Sequence, residues 1–102
     1  MRLFGGYGVF CNGLMFGLIA GDTLYFRADD VSKEAYSAEA CEPFSYEANG
    51  RPIRLPYWRV PVRLFEEREA MVAWATEALA AARRARAGKE KAPRPRRRAR
   101  RD

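Results

Sequence analysis

The residues that could carry chemistry in this 102-residue chain are few, and their types exclude the commonest reactions. The chain has no histidine, so Ser-His and Cys-His nucleophile pairs and imidazole metal ligands are excluded. Two carboxylate pairs, Asp29-Asp30 and Glu66-Glu67, could act as acid and base, but both are more simply helix-start charges. We therefore predict no catalytic residues and a protein that is not an enzyme.

The two cysteines do not form a recognisable disulfide or metal framework. No secretory signal precedes Cys11 and Cys41, so we interpret them as reduced, buried small hydrophobes, with a redox pair as the alternative. No carboxylates stand near them at a recognised ligand spacing, so we predict no metal and no cofactor. The longest apolar run, Leu14–Ala20, is too short to cross a membrane, which favours a cytoplasmic location.

Three glycines lie within four positions of the strand-like stretch Phe4–Phe10. Such a block could bind a phosphate or another small molecule, but it lacks the Gly-Lys-Ser/Thr of a P-loop. Further strand-like sequence follows it, so no helix N-terminus would face an anion. We prefer a structural interpretation, in which the strand is bent, bulged or closely approached by another backbone.

The positive charge is concentrated at the C-terminal end of the chain. Residues 83–102 hold 11 Lys/Arg against 2 Asp/Glu, a balance of +9, whereas residues 1–82 hold 8 against 11, a balance of −3. We predict a domain over residues 1–88 and a disordered basic tail over residues 89–102. The tail either binds DNA or RNA without sequence preference or is solvated with no partner. Its candidate phosphate-binding residues are Arg94, Arg96, Arg97, Arg98, Arg100 and Arg101.

The elements that would position these residues begin with a three-stranded meander. Tight turns at Asn12-Gly13 and Gly21-Asp22 separate its strands. The strands run over residues 3–11, 14–20 and 23–27. In the third strand Leu24 and Phe26 share one face, and Tyr25 and Arg27 share the other.

A second hairpin follows, with strands over residues 44–47 and 53–57 around a turn at Asn49-Gly50. Pro52 and Pro56 cannot donate to a ladder of hydrogen bonds. The second strand of this hairpin should therefore lie at a sheet edge or carry a bulge.

Two helices complete the prediction. Side chains of Asp29–Ser32 could cap a short helix from about Ser32 to Ala40, which Pro43 would end. A long helix from about residue 66 to residue 86 has an apolar face, and Gly88 is its expected stop. That face consists of Met71, Trp74, Ala75, Ala78, Leu79 and Ala82. The predicted class is α+β, with an antiparallel sheet of about five strands, a short helix and a long C-terminal helix.

With these elements in order, the chain resembles the N-terminal domain of the TfoX/Sxy family of bacterial competence regulators. The resemblance covers roughly residues 3–83. It is carried by Phe4–Phe10, Gly13–Phe16, Asp22–Phe26, Glu42–Tyr46, Tyr57–Pro61, and Trp74-Ala75 with Ala78. The resemblance implies an α+β domain without catalytic residues that acts in transcription with the cyclic-AMP receptor protein.

Three departures from the family pattern matter. Members usually begin with a helix before the Phe4–Phe10 block, so we expect an uncovered apolar sheet face, marginal stability or self-association. Ala40 stands where the family commonly has glycine, which costs about 1 kcal/mol if that position needs positive φ. Full-length regulators also carry a C-terminal helical domain. At the corresponding place this sequence has its basic tail.

The leading functional hypothesis is a non-enzymatic regulatory domain that acts through protein contact. By elimination, exposed aromatic residues near Tyr57 and Trp58 form the predicted contact surface. The alternative for Trp58 is that it packs under a loop. The competing function is nonspecific nucleic-acid binding by the tail.

Overall fold

The computed structural model describes residues 2–3 and 6–91, with side chains described for residues 6–88. All five predicted strands are present in one antiparallel sheet, and a two-residue strand extends its edge. The strands are β1 (Arg2–Leu3), β2 (Gly6–Cys11), β3 (Leu14–Ala20), β4 (Thr23–Arg27), β5 (Pro43–Ala48) and β6 (Arg51–Arg59). Their spatial order is β1-β2-β3-β4-β6-β5. The predicted α+β class is confirmed.

The hairpin turns have the backbone that their sequences predict. Asn12 and Gly13 have φ of 52° and 79°, and Asn49 and Gly50 have φ of 55° and 76°. Positive φ at both central residues matches the right-handed twist of the flanking strands. The turn chemistry therefore fixes the registers of both hairpins.

The glycine block is a structural strand, as predicted, although Phe4 and Gly5 lie outside the described residues. A side chain on Gly6 would place its Cβ 1.9 Å from the carbonyl oxygen of Ile19 on β3. The β2–β3 register shifts beside Phe16, which is the extra residue of a bulge. The close backbone approach explains why the first described glycine of the block is required.

The second strand of the second hairpin was predicted to lie at a sheet edge or to carry a bulge, and only the bulge is found. Strand β6 is not an edge strand, because it pairs with β4 through residues 57–59 and with β5 through most of its length. The predicted bulge is present, since the β5–β6 register shifts between Pro43 and Ser45. Pro56 lies in this irregular part, and its carbonyl accepts a bond from Ala28 N at 2.9 Å. Because the ladder is interrupted at the bulge, Pro56, which has no N–H to donate, leaves no regular ladder hydrogen bond broken.

Helix α1 (Lys33–Ala38) is shorter at both ends than predicted. Ser32 precedes it without capping it, and Asp29 Oδ1 instead accepts bonds from Val31 N and Ser32 N. Ala40 has φ of 60°, so the helix ends before Pro43 in a left-handed residue. The position at which the family commonly has glycine therefore does have positive φ in this chain.

Helix α2 (Arg68–Lys91) starts later and ends later than predicted. A short 3-10 helix (Val62–Glu66) precedes it, so Glu66 and Glu67 lie outside the first turn. Gly88 does not stop α2, and that prediction was wrong. One exposed glycine costs a helix about 1 kcal/mol, which strong helix formers on either side can offset.

The core lies between one face of the sheet and the helices. Phe26, Tyr36 and Leu64 are each no more than 3 % exposed. The apolar side of α2 packs against this cluster through Met71 and Trp74, together with Ala75 and Ala78. In the described part of the chain, no helix is both long and apolar enough to cross a bilayer.

Candidate interaction surface

The two aromatic residues predicted to form a contact surface lie on opposite faces of β6. Trp58 of β6 is the register partner of Phe26 on β4, and both side chains lie on the sheet face against which the helices pack. The Trp58 ring is half-buried, with its centroid 6.2 Å from that of Tyr36. Trp58 therefore packs against the core cluster between the sheet and the helices, whereas the alternative interpretation placed it under a loop.

Tyr57 lies on the other face and is only 8 % exposed, so the expectation of an exposed aromatic was wrong for this residue. Its hydroxyl donates to the Met15 carbonyl oxygen at 3.4 Å, which lays the ring across β4. The guanidinium carbon of Arg27 lies over that ring, 5.7 Å from the centroid. Arg27 and Tyr57 are also register partners, so the stack follows from the pairing of β4 with β6.

This second face of the sheet has no described helix against it. We call it the open face and define it by Phe10, Met15, Leu18, Tyr25, Arg27, Tyr57 and Arg59. Gly8 also belongs to it, because an added Cβ would meet the Phe10 ring at 2.8 Å and Met15 Sδ at 3.1 Å. The missing side chain of Gly8 thus lets these two groups lie over the strand. Phe10 remains 41 % exposed, whereas Leu18 beneath the larger side chains is fully buried.

The two arginines of the open face have different partners. Arg59 donates to Glu42 Oε1 and to the Ala40 carbonyl oxygen, both at 3.2 Å. Arg27 Nε is buried and has no hydrogen-bond partner. None of the described carboxylates lies within ion-pair distance of Arg27. Buried donors nearly always form a hydrogen bond, so the unpaired Nε of Arg27 is an exception in this fold.

The candidate acid–base pair Asp29-Asp30 is structural. Arg84 of α2 donates to Asp29 Oδ2 at 2.7 Å and to Oδ1 at 3.1 Å. The hydrogen bond from Arg84, helped by bonds from Ser32, lowers the pKa of Asp29 from 3.8 to about 2. Asp30 pairs with Lys33 at 3.0 Å. An acid held ionised by a bidentate arginine is poorly suited to transfer protons near neutral pH.

The second candidate acid–base pair, Glu66-Glu67, is also structural, because Glu67 is held in an ion pair with Arg63. Arg63 donates to Glu67 Oε1 at 2.7 Å and to Glu39 Oε1 at 3.1 Å. This hydrogen bonding from Arg63 lowers the pKa of Glu39 below its usual value. Arg63 also lies 6.0 Å from the Trp74 ring centroid. These ion pairs join α1, the 3-10 helix and α2 above the core.

A groove of about 440 Å³ lies between α1 and α2 on the helical side. Its walls include Val31, Ala35, Tyr36, Ala73 and Trp74, with Glu77 at the rim. Val31 is 71 % exposed, so one apolar wall faces solvent. Small-molecule sites fall in this volume range, but they place convergent polar groups at the ligand, and this groove offers few.

The cysteines and carboxylates of the described residues do not come together as a metal-binding cluster. No group of three Cys, Asp or Glu side chains there could hold a metal ion. Cys11 and Cys41 are free, and burial raises the pKa of the Cys41 thiol, which keeps it protonated. The six tail arginines, Arg94 to Arg101, lie outside the described residues, whereas α2 continues to Lys91.

Sequence reasoning missed Arg27 and Phe10 as members of one surface. Strand alternation in Thr23–Arg27 does place Tyr25 and Arg27 on the same face, so the sequence contained part of the evidence for this surface. The pairing of β6 with β4 was not evident from the sequence, and it is this pairing that brings Tyr57 under Arg27.

Comparison with protein-family models gives a match that covers most of the chain. No curated protein matches this sequence. The family model described as the TfoX N-terminal domain matches residues 1–82. That range contains the whole sheet, α1 and the core-packing turns of α2. The chain therefore belongs to the TfoX N-terminal domain family.

Proposed function

We propose that this protein is a non-enzymatic regulatory domain that acts through contact with another protein. The family match over residues 1–82 carries this proposal, because the family is associated with competence regulation. By the same resemblance, the partner is a transcription factor of the cyclic-AMP receptor protein type. The site of action is then the cytoplasm, where such factors meet DNA.

The geometry supports contact rather than catalysis. The carboxylates of Asp29, Glu39 and Glu67 are committed to arginine ion pairs that hold the helices in place. Several large apolar side chains of the described residues are instead exposed, among them Val31 beside the groove and Phe10 on the open face. Exposed apolar and aromatic groups beside arginine are typical of protein contact sites.

The test is a DNA-binding titration with purified cyclic-AMP receptor protein, cyclic AMP and a labelled competence-type promoter fragment. The domain should lower the receptor concentration needed for half-saturation, since a coregulator that contacts the bound receptor stabilises the complex by linkage. A chain with residues 92–102 removed serves as the control for tail-mediated DNA binding. An unchanged midpoint with both chains would contradict the proposal.

Nonspecific nucleic-acid binding by the tail is the second candidate function. The observation that favours it is the course of α2, which extends past the core-packing turns to Lys91 with Arg83 exposed. The basic segment thus begins directly after the buried residues Ala81 and Ala82 of α2. Each arginine that neutralises a phosphate adds salt-dependent affinity without base readout.

Anisotropy titrations with duplex DNA at several salt concentrations test this function. Replacing the six arginines from Arg94 to Arg101 with glutamine should flatten the log–log salt slope by up to about 5 if all six contact phosphates. Replacing Arg51 and Arg54 with glutamine is the matched control on the folded domain. Equal slopes for all three chains would exclude the tail as the binding element.

A further inference from the structure

The open face holds an arginine that the fold positions but does not pair. Arg27 lies over the Tyr57 ring, and its Nε is buried without a hydrogen-bond partner. The neighbouring arginine of that face, Arg59, has both a carboxylate and a carbonyl partner. The buried Nε is out of reach of another molecule, but the two terminal nitrogens of Arg27 are not buried and have no hydrogen-bond partner among the described residues, so they can bind an acceptor on another molecule.

The surroundings of Arg27 indicate what else that molecule presents. Gly8 leaves room for the Phe10 ring and the Met15 thioether to lie over the strand, and Phe10 is 41 % exposed. Tyr57 fixes the position of the guanidinium from below by its stack and by its bond to the Met15 carbonyl. A fixed guanidinium beside exposed apolar groups matches the composition of interface hot spots.

We propose that the open face docks a partner protein through one acidic side chain, which Arg27 binds, flanked by apolar side chains that contact Phe10 and Met15. This inference rests on the proposed function and names the chemistry of the partner's contact segment. A planar guanidinium favours a carboxylate, which can accept two parallel bonds.

Two other occupants fit the charges less well. Residues 1–82 carry a balance of −3, and of the two arginines defining the open face Arg59 is already paired with Glu42, which disfavours a polyphosphate backbone. A two-fold contact with a second copy centred at Arg27 would bring two like charges together. A single carboxylate within an apolar segment avoids both problems.

The first experiment measures binding of the full chain to immobilised cyclic-AMP receptor protein. Arg27→Met should weaken binding at least about tenfold, since it keeps the length of the side chain but removes the charge. Arg54→Met is the matched control, because Arg54 is exposed and lies on the opposite face of β6, and its affinity should stay within about twofold. Wild-type binding that Arg27→Met leaves unchanged would overturn the inference while the proposed function stood.

The stability of the variants separates docking from folding. Arg27→Met should unfold at the same or a higher urea midpoint, because it removes a buried donor that has no partner. Arg27→Lys keeps the charge but loses the planar fork, so it should bind with an affinity between those of the wild type and Arg27→Met. Equal binding by Arg27→Lys and Arg27→Met would contradict recognition of a charge.

The second experiment does not depend on the identity of the partner, so it decides the case if the receptor protein does not bind at all. The capped peptide Leu-Glu-Phe-Asp-Leu is titrated into the ¹⁵N-labelled full chain, with Leu-Gln-Phe-Asn-Leu as the uncharged control. The acidic peptide should shift the amide resonances of Phe10, Met15 and Arg27, and the control peptide should not. Loss of these shifts in Arg27→Met would support the inference.

Three results of the second experiment would overturn it. The first is an equal response to both peptides, or a response to neither. The second is a shift of these resonances by a thymidine dodecamer with none from the acidic peptide, which would assign the face to nucleic acid. The third is a shift that follows protein concentration alone, which would assign it to a second copy of the chain.

Discussion

The sheet has a covered face and an open face, and the two differ in how their large side chains are used. On the covered face Phe26, Tyr36 and Leu64 are almost fully enclosed by α1, the 3-10 helix and α2. On the open face Phe10 is 41 % exposed, and Arg27 has an unpaired donor. Beneath the helices the covered face is enclosed by the chain itself, although Tyr7 and Ile19 of that face stay 55 % and 40 % exposed. We infer that the open face is completed by another molecule.

Most of the described ion pairs lie over the covered face, although Arg59 of the open face pairs with Glu42. Arg84 joins α2 to Asp29, and Arg63 joins the 3-10 helix to Glu39, so both pairs fasten elements over the covered face. Arg27 stacks on Tyr57 but forms no ion pair with the described residues. The arginines of this chain therefore divide into those with a partner inside the chain and those without one, and variants on the two faces can test that division.

The largest expected effect is on the covered face. Leu64→Ala should lower the free energy of unfolding by about 2–5 kcal/mol, because the side chain is 1 % exposed and leaves a cavity in the core. Urea denaturation followed by tryptophan fluorescence measures it. A cost below about 1 kcal/mol would mean that the helices are only loosely packed on the sheet.

The next effect concerns the glycines of β2. Gly6→Ala should cost about 1–3 kcal/mol or more, because the added Cβ would meet the Ile19 carbonyl, which is rigid backbone. Gly8→Ala is the matched control on the open face, where the atoms met belong to the ends of the Phe10 and Met15 side chains. Those ends can move, so the control should cost clearly less in the same urea titration.

An intermediate effect depends on pH. Asp29→Asn should remove about 1–2 kcal/mol at pH 7, because the amide oxygen can still accept from Val31 N and Ser32 N but the charge paired with Arg84 is lost. Solvent screening of the partly exposed pair keeps the loss below that of a buried ion pair. The pKa of Asp29 is lowered from 3.8 to about 2 in the folded state, so its contribution is fully present above pH 4. It is lost as the pH falls from 4 to 2. Unfolding curves of the wild type and the variant should converge over that interval, and a constant difference would contradict the ion pair.

A smaller effect, of opposite sign, is expected at the end of α1. Ala40→Gly should stabilise the chain by about 1 kcal/mol, because Ala40 has φ of 60° and glycine adopts that region without strain. Ala38→Gly, inside the helix, should instead destabilise by about 1 kcal/mol. Thermal melts of both variants measure the pair, and shifts of the same sign would contradict the assignment of the helix end.

The smallest effect on stability belongs to the open face. Phe10→Ser should change the free energy of unfolding by less than about 1 kcal/mol, since much of the ring already faces solvent. Its effect on binding of the acidic peptide should be larger than its effect on stability. A loss of stability comparable with that of Leu64→Ala would show that the open face is a second core.

Much of the fold could be predicted from the sequence because its signals are local. Asn12-Gly13 and Asn49-Gly50 specify turns with positive φ, and strand alternation separates Leu24 and Phe26 from Tyr25 and Arg27. Helix ends were predicted less well, since Gly88 is an ambiguous signal and α2 passes through it. The 3-10 helix was not predicted, because its single turn carries no periodic pattern.

The candidate site was harder to predict because it depends on contacts distant in the chain. Tyr57 was expected to be exposed, but pairing of β6 with β4 places it beneath Arg27. No local pattern in Ile53–Arg59 reveals which strand it will join. The unpaired donor of Arg27 is likewise visible only once all of its neighbours are placed.

The sequence by itself determined the family and the hairpin turns. It also determined which side chains of β4 face the helices, and it excluded reactions that need histidine. It did so because these properties depend on residue types at short spacing. Only the tertiary structure decided which arginines have internal partners, since Arg84 reaches Asp29 and Arg63 reaches Glu39 across the fold, whereas Arg27 meets an aromatic ring. Whether a charge is satisfied is a property of its surroundings, and the chain must fold before those surroundings exist.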